Sequence, residues 1–295
     1  MQPPFPSFTS TWHNDTYAAI DPTKPDLSQT GKTIIITGAG SGIGRQTALS
    51  FAKANASHIV LIGRTESTLS ETATLITSTN PSTKATVHAA SVTDSAAISS
   101  IAASVGTWDV LVLGAASISS PALVAQADLT AWWDNYEVNV KAVVQNVQAF
   151  LPTANPKRAS LFTLAAGGFV FGAKATAYLS GYITSKVTQS KLTEYLAAEN
   201  PNLFAVSVHP GMVDTKVFRS SGADPAKLPI DTERLPADFL VWLSQGEGEK
   251  VGFLNGKTVF ANWDVDELEA KKAEIEGNEG LLTIGLGGWP FVGGN

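Results

Sequence analysis

Thr33-Ile34-Ile35-Ile36-Thr37-Gly38-Ala39-Gly40-Ser41-Gly42-Ile43-Gly44-Arg45 is the stretch on which the fold turns. Its first five residues, mostly β-branched, predict a short buried strand. A helical pattern follows the glycines. Glycines at 38, 42 and 44 permit a tight turn, a close backbone approach to a pyrophosphate, and close packing of helix on strand. Free N–H groups around Ser41 and Ile43, at the start of that helix, favour an anion. Strand, glycine turn and helix together predict a dinucleotide-binding unit.

Outward from this unit, apolar runs alternate with longer helical spacers. Further strands are expected at His58 to Ile62, Lys84 to Ala89, Asp109 to Leu113, Ala159 to Leu164, Leu203 to Val208 and Lys257 to Phe260. Seven strands separated by helices read as a parallel sheet covered on both faces, an α/β doubly wound domain of Rossmann type. Between Leu129 and Phe150, Trp132, Trp133, Tyr136, Val140, Val143, Val144 and Val147 recur at three- and four-residue steps. One long amphipathic helix is expected there. Residues 1–31 read as an irregular extension docked through Phe5, Phe8, Trp12 and Tyr17; 32–276 as the domain, with an insertion at 211–236; and 277–295 as a tail.

Composition narrows the function. Twenty basic against 26 acidic residues give a net charge of −6, the wrong sign for a chain that neutralises nucleic-acid phosphates. Without cysteine there is no disulfide or thiolate metal site, and His13, His58, His88 and His209 show no ligand spacing. No segment reaches the roughly 18 apolar residues of a membrane span, and the first residues carry no basic flank or apolar run. A cytoplasmic protein with no metal, nucleic-acid or membrane partner is expected.

The spacing of the glycine turn resembles the TGxxxGIG motif of the short-chain dehydrogenase/reductase family, and the resemblance extends over roughly Lys32 to Ala261. An acid at the end of strand two would accept bonds from the ribose of NAD; here the strand ends in Gly63-Arg64. That pair resembles the family's NADP-selective version, so the resemblance implies NADP(H), with Arg64 pairing its 2′-phosphate. Tyr182 and Lys186, four apart and so on one helical face, are similar to the family's YxxxK pair. The resemblance makes Tyr182 the general acid, with Lys186 depressing its pKa and holding the nicotinamide ribose. Asn139 matches the family's helix asparagine, which supports a proton relay through water; a local back-bond is the other reading. Pro210-Gly211-Met212-Val213-Asp214-Thr215 matches the family's PG motif, with Thr215 set to bond the carboxamide and His209 before it read as packing.

Three departures stand out. Ser91-Val92 replaces the family's Asp after strand three, and Gly114 begins a loop that lacks the family's asparagines. Ala165 and Ala166 stand where the catalytic serine is expected, with Thr176, Tyr178 and Ser180 as substitute hydroxyls. Ala166, Phe169, Tyr178, Val217 and Phe218 are expected to line an apolar pocket for a small hydrophobic, secondary-metabolite-like substrate. The expected activity is ketone/alcohol interconversion, or else cyclisation, isomerisation or dehydration in the same pocket. The family's four-helix interface implies a homodimer or homotetramer.

Overall fold

β1 (Thr33–Thr37) is an almost wholly buried strand, and every other strand is arranged around it. A computed structural model describes residues 6–245 and 250–286. Its remaining strands are β2 (His58–Gly63), β3 (Lys84–Ala89), β4 (Val110–Leu113), β5 (Ala159–Leu164), β6 (Leu203–His209) and β7 (Thr258–Phe260). They form one all-parallel sheet in the order β3-β2-β1-β4-β5-β6-β7. Central strands buried on both faces need unbroken apolar runs, which segments such as Ile34–Ile36 and Val110–Leu113 supply. The chain order reverses between β1 and β4, so a crevice opens at their carboxyl ends, where such folds take ligands.

α1 (Gly42–Lys53), α2 (Glu66–Thr79) and α8 (Arg234–Leu243) cover one face; α3 (Ser95–Val105), α4 (Leu129–Tyr136), α5 (Ala142–Phe150) and α6 (Ser180–Glu199) cover the other. The short α7 (Lys216–Ser220) lies in the loop after β6, and α9 (Val265–Ala270) and α10 (Lys272–Glu276) follow β7. The two apolar cores are correspondingly on opposite faces, one around Phe51, Phe162 and Phe239, the other around Trp108, Phe150 and Leu161. The expected helix from 129 to 150 is interrupted by a wider π turn at Glu137–Lys141, where buried Asn139 has its side chain bonded outside the helix. The insertion is shorter than expected, because Pro236 sits within the first turn of α8, where a missing N–H costs little.

The amino-terminal extension is docked. Trp12 is buried and bridges Trp263 in antiparallel fashion, Phe8 packs on Trp263, and Tyr17 donates to the Trp263 carbonyl. Phe5 lies outside the described residues, as do 287–295 of the tail; 278–284 lie along the domain through Thr258 N to Leu282 O and Ile284 N to Glu194.

Candidate active site

Backbone sterics dictate the glycine turn. Gly38 and Gly42 have φ of +73° and +53°, where a side chain is strained, and a Cβ on Gly44 would strike the Gly38 carbonyl oxygen. A Cβ on Gly114 would lie 2.8 Å from the Thr37 carbonyl, so the loop after β4 packs directly on the turn. Thr37 Oγ1 accepts from Ala115 N at 3.2 Å, tying these strands without an asparagine. Ser41 precedes α1 with its side chain uncommitted to a cap, and Ile43 is half-buried beside it. The exposed Arg64, at the end of β2, bonds no described residue, whereas Arg45 is committed to Gly40 O and Glu71. Ser91 shares its hydroxyl with Thr93, and the buried Val92 offers its carbonyl to Asn146.

The second half of the site gathers where β5 and β6 end. Lys186 is 2% exposed; its Nζ donates to Leu164 O at 2.8 Å and Gln189 Oε1 at 3.0 Å, and lies 5.9 Å from the centre of the Tyr182 ring. Burial lowers Lys186 to about 7 and raises Tyr182 to about 12. In both groups the cause is desolvation of the charged form. Asn139 Oδ1 accepts from Ser117 N, and its Nδ2 donates to Ser117 O and Ser185 Oγ, so the side chain holds the loop after β4 against α6.

Pro210 and Gly211 lead into a loop whose anchor the sequence did not reveal. Buried Asp231 accepts from Met212 N at 2.6 Å, Asn14 Nδ2 at 2.5 Å and Asn262 Nδ2 at 3.0 Å, and burial raises its pKa. Gly211, at φ +88°, has no room for a Cβ beside that carboxylate, and Val213 bridges Asp231. The amino-terminal extension thus supports the PG loop across more than 200 residues of sequence, a link no local spacing signals. Thr215 Oγ1 accepts from Phe218 N as the cap of α7, and a Cβ on Gly42 would touch its methyl at 3.2 Å. Glycine cradle and PG loop therefore face each other.

The apolar wall is more open than expected. Val217, Phe218 and Phe169 are half-buried, but Val170 and Phe171 are exposed and Tyr178, held at φ +76°, is 55% exposed. Tyr178 O accepts from Ala122 N. Ala166 is buried at the end of β5. Of the substitute hydroxyls, Ser180 opens α6 and accepts from the Trp132 indole at 3.1 Å instead of capping the helix. His209 packs its ring on Phe260 at 4.6 Å and accepts from Gly167 N at Nδ1 at 2.9 Å.

A doubly wound parallel sheet with a glycine turn at its switch point is the architecture of the dinucleotide-binding folds. The short chain dehydrogenase profile matches residues 32–226, and the chain belongs to that family. It is 32% identical to the short chain dehydrogenase/reductase AacuD of Aspergillus aculeatus, with 94% of this chain and 96% of that one aligned. It is 34% identical to the short chain dehydrogenase citE of Monascus ruber, over 92% and 95% of the two chains. Among solved structures, the Escherichia coli oxidoreductase yciK superposes with TM-score 0.71 at 24% identity, over 81% of this chain and 97% of that one. A short chain dehydrogenase from Escherichia coli CFT073 complexed with NADPH gives 0.69 at 25%, over 81% and 99%. Among the described residues no helix is long and apolar enough to cross a membrane, and no group of His, Asp and Glu is placed to hold a metal.

Proposed function

We propose that the chain is an NADP(H)-dependent ketone/alcohol oxidoreductase for a small hydrophobic, secondary-metabolite-type substrate, working with alanine where its family carries serine. The observation that carries this reading is the juxtaposition of Tyr182, Lys186 and the Leu164 carbonyl at the sheet edge that also bears the glycine cradle. The residues fit the cofactor: Gly38, Gly42 and Gly44 leave room where a Cβ would fill the cradle, and the exposed Arg64, just after β2, has no partner among the described residues. Ser41, Ile43 and Gly44 would hold the pyrophosphate, Arg64 the 2′-phosphate, Ser91, Val92 and Gly114 the adenosine side, and Pro210, Gly211, Val213 and Thr215 the nicotinamide side.

When bound, NADPH supplies a hydride to a carbonyl carbon. Tyr182 does the remaining chemistry by passing its phenolic proton to the carbonyl oxygen as that oxygen becomes an alkoxide. Burial keeps the phenol protonated at neutral pH, so it stands ready as an acid. Lys186, when charged, stabilises the phenolate left behind and would hold the nicotinamide ribose. Half-exposed Phe171, Val170 and Tyr178 supply apolar contact for an aromatic substrate. The absence of a hydroxyl at 165 and 166 favours a second reading, non-redox acid–base chemistry by the same Tyr182 and Lys186. Exposed Leu129, Trp133 and Val144 on the α4–α5 segment, with Tyr195 on α6, support a homodimer or homotetramer through that face.

A panel of aryl ketones with NADPH or NADH tests the reading. NADPH oxidation in preference to NADH, reduced 10³-fold or so by Tyr182→Phe with NADPH binding intact, is the expected outcome. Product formation without NADPH consumption supports the non-redox reading instead.

A further inference from the structure

The alanines at 165 and 166 leave a question of chemistry: which donor meets the oxygen that becomes negative during carbonyl reduction? A preorganised donor at that point is worth about 10² to 10³ in rate. The hydroxyls nearest in sequence are poorly placed. Ser180 Oγ is drawn toward the Trp132 indole, whose N–H it accepts at 3.1 Å, Tyr178 is turned out to 55% exposure, and Thr176 turns its methyl to Gly168, with Cγ2 3.2 Å from where a Cβ there would lie.

His209 is placed otherwise. It ends β6 next to the turn that runs off β5, since Ala165 N donates to Val208 O and Gly167 N donates to His209 Nδ1. Its ring lies over Gly167 so closely that a Cβ there would come within 2.6 Å of Nε2. On the other side of the same turn, a Cβ on Gly168 would come within 2.8 Å of Ile183 Cδ1, the neighbour of Tyr182. Two glycines thus let an imidazole and the Tyr182 helix close on one short turn, directly beyond Ala166. The residue is 9% exposed, and burial lowers its pKa to about 4, so the ring is neutral at physiological pH. A neutral ring that accepts at Nδ1 carries its proton on Nε2. That N–H bonds no described residue.

We propose that His209 Nε2–H is the donor that orients the substrate carbonyl and stabilises its developing oxyanion, in the place that a serine at 166 would fill. The inference rests on the reductase reading above. No proton leaves His209: the bond it makes is a hydrogen bond to oxygen, while the proton that completes the alcohol comes from Tyr182. A neutral imidazole serves here because the ring lacks a second proton to lose and is fixed in one tautomer by a backbone N–H.

The test uses the full chain with NADPH and 1-tetralone, a bicyclic aryl ketone, within the ketone panel. His209→Asn keeps an oxygen that can accept from Gly167 N and removes the longer-reaching N–H. It is expected to lower kcat about 100-fold on carbonyls while leaving the NADPH Kd unchanged. Thr176→Val, the control, leaves kcat within about twofold. Ala166→Ser placed on top of His209→Asn is expected to restore kcat at least tenfold, a rescue that a purely packing histidine would not permit. Independently of turnover, ¹⁵N-histidine NMR of the unaltered chain should show one neutral ring in the Nε2–H form that vanishes in H209N. An active chain whose kcat survives His209→Asn, a loss carried by Thr176→Val instead, or an Nδ1–H ring overturns the donor role and leaves the reductase reading standing. An unaltered chain that oxidises NADPH with no member of the panel overturns the reductase reading and the donor role with it.

Discussion

Two glycine turns run off parallel strands at the same edge of the sheet, Thr37–Gly44 after β1 and Leu164–Gly168 after β5, and they need glycine for different reasons. In the first, a Cβ meets backbone at 38 and 44 and a positive φ disfavours one at 38 and 42, while only Gly40, against Thr68, and Gly42, against Thr215, face side chains. In the second, it meets side chains that arrive from elsewhere, the His209 ring at 167 and Ile183 and Thr176 at 168. A backbone requirement recurs at fixed spacing whatever surrounds it. A side-chain requirement depends on residues 8, 15 and 42 positions downstream, and nothing in the turn itself announces them.

The comparison breaks first on alanine substitution at the two turns. Gly44→Ala should destabilise the chain by roughly 3 kcal/mol or more and abolish NADPH binding, because a carbonyl between β1 and α1 has nowhere to go. Gly167→Ala should cost about 1 kcal/mol, since the His209 ring can swing by a fraction of an ångström, while carbonyl turnover falls steeply because the ring has moved. Thermal unfolding and cofactor titration of the two variants measure both effects. Equal losses of stability would show that the second turn is as rigid as the first.

The same distinction explains which features the sequence disclosed. Strand positions were legible to within a residue because burial on two faces demands continuous apolar runs, as at Thr33–Thr37 and Ala159–Leu164. The glycine turn and the placing of Tyr182 and Lys186 on one helix were legible because both are local. The π turn at Glu137–Lys141 was not, since it follows from Asn139 reaching across to Ser117 and Ser185. Nor was Asp231 legible as the clamp of the PG loop, since its partners Asn14 and Asn262 come from the two ends of the chain. His209 read as packing because its ring does pack, on Phe260; its unpartnered Nε2 is visible only in three dimensions.

A smaller effect sharpens the cradle side of the comparison. Arg64 is exposed and unpaired among the described residues, so its removal disturbs no internal contact. Arg64→Ala should weaken NADPH binding about ten- to 100-fold through loss of a charge-assisted bond, and leave NADH binding and the melting temperature unchanged. Parallel titrations with the two nucleotides check it. Equal weakening of both would place Arg64 on a phosphate that NAD also carries.

The smallest effect is expected on the wall, from Ala166→Ser in the otherwise unaltered chain. The residue is buried at the end of β5, one position before the glycine whose N–H holds His209. A hydroxyl there adds a donor to an oxyanion that already meets His209 and Tyr182, and later donors to a single oxygen contribute less than first ones because the charge is already partly neutralised. The hydroxyl must also be desolvated when no substrate is bound, at about 1 to 3 kcal/mol unless it finds a backbone acceptor. These terms oppose each other, so kcat on aryl ketones should rise threefold to tenfold while the melting temperature falls by a few degrees. The contrast with the His209→Asn background, where the same serine meets an oxyanion that only Tyr182 otherwise contacts, carries the information. A gain of 100-fold or more in the unaltered chain would mean that the wall has no working donor as it stands, and that the imidazole over Gly167 only fills space.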